Sequence, residues 1–408
     1  MILKLYKSEV HRASSITITG SKSESNRLLL LQALFPELVI NNCSNSDDSK
    51  VMAKALAGDD SIIDIHHAGT AMRFLTAFFA SRQGKEVVLT GSQRMKERPI
   101  AILVEALKAL GADISYLETE GCPPLLIKGK TLSKNQVSLK ANVSSQYISA
   151  LLLIASKLEN GLALTLEGDI TSMPYIQMTL DLLSQLGIES RFENQTISVQ
   201  PKVSPLKTKV ITVESDWSSA SYYFSMVALS PVGTEITLSS YNKTSLQGDS
   251  VLVDIYKLFG VASKFDEHAL TLIKQEDGDK QPIIINLKNA PDIAQTIAVT
   301  CLGLGLECQL SGLHTLKIKE TDRLVALQNE LQKFGAQVSI TSEALQLQPI
   351  SEWQNDVTIA TYNDHRMAMA FAPLALKTNL KIEDYMVVSK SYPTFWDDLK
   401  AIGFKFSK

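Results

Sequence analysis

Five times along the chain, a run with helical periodicity ends in an apolar residue, then glycine, then a β-rich stretch. The five are Leu110-Gly111-Ala112, Leu186-Gly187-Ile188, Phe259-Gly260-Val261, Phe334-Gly335-Ala336 and Ile402-Gly403-Phe404. Successive glycines lie 76, 73, 75 and 68 residues apart, and a shorter version, Ala57-Gly58, precedes Gly111 by 53. Ahead of the glycines the spacing predicts helices. Ile102, Leu103, Ala106, Leu107 and Leu110 share one face, as do Leu324, Leu327, Leu331 and Phe334. Proline in the first turn (Pro99, Pro174, Pro393) or aspartate near it (Asp47, Asp322) suits a helix start. Glycine after the last apolar residue suits a left-handed cap. Between the helices come β-rich runs such as 86–90 and 235–239. The repeat is therefore strand and helix together, and each unit buries its apolar face against its neighbours. Six units allow one ring or two groups of three. The stretch 203–212, with Pro205, Lys207 and Lys209, is the nearest thing to a mid-chain seam.

Composition narrows the function classes. The chain has 408 residues, 45% hydrophobic and 20% charged, within the range of globular proteins. Forty Lys and Arg against 43 Asp and Glu give a net charge of -3. Such a balance supplies no general basic field for nucleic acid or a membrane surface, so an anion site must be built locally. Cys43, Cys122, Cys301 and Cys308 form no CxxC pair and read as reduced thiols, which places the chain in the cytoplasm. The start, Met1 to Lys7, reads as a strand rather than a signal peptide, and no apolar run approaches the ~20 residues a membrane span needs. Glu276-Asp-Gly-Asp279 lacks the rest of an EF-hand loop and reads as a turn. Asn142-Val-Ser144 is a glycosylation sequon only in a secreted chain, and His66-His67 lacks further metal ligands.

Polar clusters recur at helix starts. Gly20-Ser-Lys-Ser-Glu-Ser-Asn-Arg27 precedes the apolar Leu28 to Leu31, and its small residues, Lys22 and Arg27 suit either a phosphate site or a plain cap with solvated charges. Ala68-Gly69-Thr70-Ala71-Met72-Arg73 lets either a ligand or a neighbouring element approach Gly69 closely. Arg94-Met-Lys-Glu-Arg-Pro99 sets three cations ahead of a helix. Ser144-Ser145-Gln146 and Ser172-Met-Pro-Tyr175 open further ones. Lys317-Ile-Lys-Glu-Thr-Asp-Arg323 holds five charged residues in seven, and Arg323 in a first turn opposes the helix dipole, so it needs another reason such as an anionic ligand. Arg366 repeats that placement in Asn363-Asp-His-Arg-Met-Ala-Met369, Lys390 falls in a turn, and Asp292 precedes the apolar 293–304. If these starts converge they form a cationic cleft for polyanionic substrates, with Asp292 and Glu320 available for proton transfer.

In order and spacing, the motifs at 20–27, 68–73, 94–99, 144–146, 319–323 and 363–369 resemble the 5-enolpyruvylshikimate-3-phosphate synthase family over nearly the whole chain. The resemblance implies an α/β (α+β) enolpyruvyl transferase fold of six βαβαββ-type repeats, three per domain around a pseudo-threefold axis, an inside-out α/β barrel. The implied domains are 21–213 and 1–20 plus 214–408, with the active site in the cleft between them. The implied reaction joins phosphoenolpyruvate to the 5-hydroxyl of shikimate 3-phosphate through a tetrahedral intermediate that loses phosphate, with no metal or organic cofactor, in a monomer. By motif match, Lys22, Ser23, Arg27, Ser144, Ser145, Gln146, Ser172, Asp292 and Lys319 hold shikimate 3-phosphate. Lys22, Gly69, Arg98, Gln146, Arg323, Arg366 and Lys390 hold phosphoenolpyruvate. Asp292 takes the hydroxyl proton, and Glu320, assisted by Lys22, protonates the methylene carbon. Gly69 stands where alanine confers glyphosate tolerance in family members, so inhibition by glyphosate is expected. His67, Phe74, Met173 and Thr315 depart from the family pattern, and Thr315 replaces an Asn that often contacts shikimate. Two rivals are weaker. The related UDP-N-acetylglucosamine enolpyruvyl transferases carry a loop Cys that 91–97 lacks, and a non-catalytic six-repeat binding protein would not need these carboxylates and cations.

Overall fold

The computed structural model describes every residue except Val143, Asp279 and Ser351. Val143 of the sequon and Asp279 of the acidic turn thus lie outside the described residues. The chain divides into two compact units, Ser21–Val213 and Met1–Gly20 with Glu214–Lys408.

Ser21–Val213 contains two four-stranded sheets of one design. In the first, Ile62–Asp64 pairs in parallel with Glu86–Thr90, and Leu125–Lys128 then pairs antiparallel with both Glu86–Thr90 and Asp113–Tyr116. Gln136–Lys140, Leu162–Glu167, Thr196–Val199 and Ser190–Glu193 repeat the order. A parallel pair requires a crossover, which Gly69–Ala80 and Ser145–Ala155 supply. The chain order in each is strand, helix, strand, helix, hairpin. The first unit is reduced to Leu38–Asn41 beside Lys209–Thr212, in parallel. The crossover helices are buried on nearly every face and, with Lys22–Leu34, pack against one another. An all-round apolar helix such as Gly69–Ala80 has no other stable placement. Lys22–Leu34 differs, because its first turns bury Glu24, Ser25, Asn26 and Arg27. Polar burial there is costly unless paired.

The second unit holds three four-stranded sheets. Ile283–Asn286, Cys308–Ser311, Leu345–Leu347 and Val338–Ile340 follow the same design. Ala13–Ile16 pairs in parallel with Glu235–Ser239, from opposite sides of the chain segment that makes the other unit. Ile2–Tyr6 lies antiparallel between Leu380–Glu383 and Lys405–Ser407, so the first strand completes the last repeat. Its alternation buries Leu3 and Leu5. Three buried helices again form the centre: Trp217–Leu229, Ala294–Leu304 and His365–Phe371, with Ala294–Leu304 against both others.

Gly111, Gly187, Gly260, Gly335 and Gly403 all have positive φ, the left-handed form that ends a helix. Gly58 departs from the pattern, with φ -84° and ψ 168°. It is extended because the chain there runs on into the short loop before Ile62–Asp64.

Candidate active site

In the unit containing the C-terminus, three central helices bring their N-termini to one place. Arg366, second residue of His365–Phe371, donates through Nη1 to the Asp292 carbonyl oxygen at 3.1 Å and lies 3.1 Å from Asp292 Oδ2 through Nη2. Asp292 sits in the turn Pro291–Ile293 that leads into Ala294–Leu304. The same Nη2 donates to Ser218 Oγ, near the start of Trp217–Leu229, at 3.3 Å. N-termini carry partial positive charge, so this junction favours anions.

Around it stands an ion network. Arg323, first residue of Arg323–Gln332, reaches Asp292 Oδ1 at 2.9 Å, Glu320 Oε2 at 2.8 Å and Asp364 Oδ2 at 2.6 Å. Lys390 Nζ donates to Glu320 Oε1 at 2.6 Å, and Lys319 Nζ lies 3.6 Å from Asp292 Oδ1. Asp322 caps the Arg323 helix by accepting from the Leu324 and Val325 amides. Four cations thus face three carboxylates in direct contact, and Asp249, behind Ser218, is the next carboxylate out. Burial alone pushes the Asp292 carboxyl up, but Arg366, Lys319 and Arg323 overcome this and hold it well below the usual carboxylate range. Burial lowers Lys319, with Asp292 opposing. Burial also works against the Arg323 charge, but Asp364, Glu320 and Asp292 outweigh it and raise the guanidinium further.

In Ser21–Val213, Ser21 caps Lys22–Leu34 by accepting from the Glu24 amide, so Lys22 and Ser23 occupy its first turn. Lys22 Nζ lies 3.3 Å from Asp48 Oδ2. Arg27 is 2% exposed. It donates through Nε to Thr179 Oγ1, through Nη1 to the Ser23 carbonyl, and through Nη2 to Ser149 Oγ and the Tyr175 carbonyl. Those bonds tie three helices together and leave one Nη1 hydrogen without an acceptor among the described residues. Burial lowers its pKa to about 10, so it stays charged at neutral pH. Gly69 opens its helix directly against Arg98, where an added Cβ would come within 2.6 Å of Nη1. Gln146 Nε2 donates to Thr70 Oγ1 at 3.2 Å, which joins the starts of two buried helices. Ser144 caps Ser145–Ala155 by accepting from the Gln146 amide, and Ser145 is buried beside it. Ser172 is buried at φ 55°, a conformation uncommon for serine and one that concentrates at functional sites.

Apart from Arg27, in the second turn of Lys22–Leu34, every site residue expected from the sequence lies at or beside a helix start, except Lys319, Glu320 and Lys390. The first two follow the short helical turn His314–Ile318, and Lys390 ends Tyr385–Lys390 rather than standing in a turn. Four polar residues were not singled out in the sequence: Asp48, Ser218, Asp249 and Asp364. Asp364 is fully buried, binds Arg323 and also caps the Arg366 helix by accepting from the Arg366 amide at 2.9 Å. Its position inside Asn363-Asp-His-Arg366 was the available signal. Thr315 is buried with no partner for Oγ1 among the described residues.

Repeated βαβαββ units with a polar, cation-rich site at buried helix starts define an enolpyruvyl transferase fold. Solved structures agree. EPSP synthase from Acinetobacter baumannii superposes with a TM-score of 0.77 at 20% identity, over 100% of both chains. The enolpyruvyl transferase NikO from Streptomyces tendae superposes at 0.75 and 12% identity, over 100% of this chain and 98% of that one. The family model of EPSP synthase (3-phosphoshikimate 1-carboxyvinyltransferase) matches residues 56–399. A 3-phosphoshikimate 1-carboxyvinyltransferase from Bacteroides fragilis is 44% identical over 401 residues, 96% of this chain and 95% of that protein. Its counterpart from Haemophilus influenzae is 35% identical over 423 residues, 96% of each. The chain belongs to the EPSP synthase family.

Proposed function

We propose that the chain transfers the 1-carboxyvinyl group of phosphoenolpyruvate to the 5-hydroxyl of shikimate 3-phosphate, releasing phosphate, in the shikimate route to aromatic amino acids. The observation that carries this reading is the network in which Arg323, Arg366, Lys319 and Lys390 outnumber Asp292, Glu320 and Asp364 at converging helix N-termini. Both substrates carry a phosphate and a carboxylate, and such a site complements them.

Arg98, Arg323, Arg366 and Lys390 hold phosphoenolpyruvate, which Gly69 admits close to the backbone; Lys22 and Gln146 contact both substrates. Lys22, Ser23, Arg27, Ser144, Ser145, Gln146, Ser172, Asp292 and Lys319 hold shikimate 3-phosphate. Arg27 offers its remaining Nη1 hydrogen and otherwise fixes Ser23 and its neighbours. Asp292 accepts the 5-hydroxyl proton as the oxygen attacks C2. Free, it is a weak base, because Arg366, Lys319 and Arg323 hold its proton affinity down after burial has raised it. Substrate anions that engage those cations weaken this pull and raise its affinity for the proton when it is needed. Glu320, between Arg323 and Lys390, takes up a proton once the substrate anions engage those two cations and delivers it to C3, with Lys22 assisting. The tetrahedral intermediate then expels phosphate, whose charge the cations stabilise. As it leaves, Glu320 takes a proton back from the C3 methyl group to re-form the vinyl double bond, and the proton on Asp292 is given up with the phosphate. The chain works as a monomer in the cytoplasm; no helix among the described residues is long and apolar enough to cross a membrane.

The test is phosphate release by the purified chain with a chelator present. Phosphoenolpyruvate is paired in turn with shikimate 3-phosphate and with UDP-N-acetylglucosamine. Turnover with the first pair alone supports the reading, and turnover with the second alone, or with neither, overturns it.

A further inference from the structure

We propose that Asp249, acting through Ser218, is a positioning residue that aims the Arg366 guanidinium at the phosphoenolpyruvate anion. The proposal rests on the assignment of Arg366 to that substrate. Asp249 lies in the short helical turn Gly248–Val251, is 4% exposed, and accepts the Ser218 hydroxyl through Oδ2. Its Oδ1 is buried and has no partner among the described residues. Placing a carboxylate there is costly, and an apolar residue would fill the space at lower cost. What the carboxylate adds is direction. It takes the single hydrogen of Ser218, so the serine oxygen can only accept, and the donor it faces is Arg366 Nη2 at 3.3 Å. Without Asp249 the hydroxyl is free to turn its hydrogen toward the guanidinium and lose that bond.

The surrounding contacts make the arrangement rigid. Gln247, two residues earlier, accepts the Trp217 amide through Oε1 at 3.0 Å and donates to the Ser215 carbonyl at 2.9 Å. Asp216 caps the same helix by accepting from the Ser219 amide at 2.8 Å. The segment 247–249 is thus bolted at two points to the helix start that carries Ser218. Arg366 then has two supports, Asp292 and Ser218, on different helices. A guanidinium held at a fixed angle loses less freedom when it binds a planar or tetrahedral anion.

The test is steady-state kinetics of the whole enzyme by phosphate release, varying each substrate in turn, for Ser218→Ala, Asp249→Ala, Asp249→Asn and Arg366→Lys. An aim lost equally in ground and transition state raises KM and spares kcat. The expected result for Ser218→Ala and Asp249→Ala is a KM for phosphoenolpyruvate raised about tenfold. The KM for shikimate 3-phosphate and kcat should stay within about twofold of the parent. Asp249→Asn keeps an oxygen to receive the serine hydroxyl and should recover most of the loss. Ser218→Ala removes only one oxygen and keeps the test open should Asp249→Ala fail to fold. If both KM values rise together with a lowered melting temperature, the role is structural and the proposal is wrong. If Arg366→Lys raises the phosphoenolpyruvate KM while the Ser218 and Asp249 variants leave it unchanged, the proposal alone is overturned. If Arg366→Lys leaves it unchanged, the assignment of Arg366 falls and the proposal with it.

Discussion

Arg323 Nε lies 2.6 Å from Asp364 Oδ2, with the guanidinium 2% exposed and the carboxylate fully buried. Charges removed from water this completely depend on each other. Removing Asp364 takes away the fully buried one of Arg323's three carboxylates and should cost about 3 kcal/mol, the lower end for a broken buried pair, because Asp292 and Glu320 remain. Asp364→Ala should lose that much stability, and part of the helix cap at Arg366 as well. Asp364→Asn keeps an oxygen for the cap and should lose less. Urea unfolding of the three proteins checks the order; an Asp364→Ala protein as stable as the parent contradicts the pairing.

Asp292 touches Arg323, Arg366 and Lys319, and it is the carboxylate assigned to the hydroxyl proton. Asp292→Asn keeps the shape and removes the proposed base. The expected loss in kcat is about 10²–10⁴-fold, the usual contribution of general acid–base catalysis. Phosphate release at saturating concentrations of both substrates measures it. A loss confined to KM would show that Asp292 binds without taking the proton.

At Gly69 an added Cβ would stand 2.6 Å from Arg98 Nη1 and 3.2 Å from its Cζ. The arginine end can move, but moving it shifts a cation assigned to phosphoenolpyruvate. Gly69→Ala should raise the phosphoenolpyruvate KM by about tenfold, the scale of one charge-assisted hydrogen bond. The parent should be inhibited by glyphosate and the variant much less so. A parent enzyme indifferent to millimolar glyphosate would contradict the role given to this glycine.

Asp249 predicts a pH dependence of stability. Burial, and then the charge of Asp292, push its carboxyl up to about 7, against Arg366 and the Ser218 hydroxyl; Asp216 adds to the rise. The unfolded group titrates near about 4. Between these values the folded chain binds the proton more tightly, so this group's contribution falls as pH rises through the window and is at its least above about 7. Asparagine does not titrate. The melting temperature of Asp249→Asn relative to the parent should therefore climb from pH 5 to pH 8, and a constant or falling difference would show that Asp249 is not shifted upward.

The repeat was legible because five helices end in a left-handed residue that only glycine adopts cheaply. Gly58 broke the rule, being extended, and the unit it belongs to has a sheet of two strands. Ile2–Tyr6 is readable as a strand from its alternation, but its partners lie almost four hundred residues away, and no local pattern reports such pairing. In the site, Arg323 and Arg366 stood out because a cation at a helix N-terminus opposes the dipole. Asp249 and Asp364 did not, because an aspartate at a helix start reads as an ordinary cap. Asp364 is one, and it is also the brace of Arg323. Position in the chain cannot separate those two duties; burial and partner distances can.

The enolpyruvyl transfer itself is tested most directly by running the reaction in D₂O and examining the product by proton NMR and mass spectrometry. Attack of the 5-hydroxyl on C2 with protonation at C3 turns the methylene into a methyl group before phosphate leaves. The prediction is deuterium in the vinyl methylene of an enolpyruvyl ether of shikimate 3-phosphate. Phosphate release that yields pyruvate, or a vinyl product whose methylene carries only the original hydrogens, would contradict it.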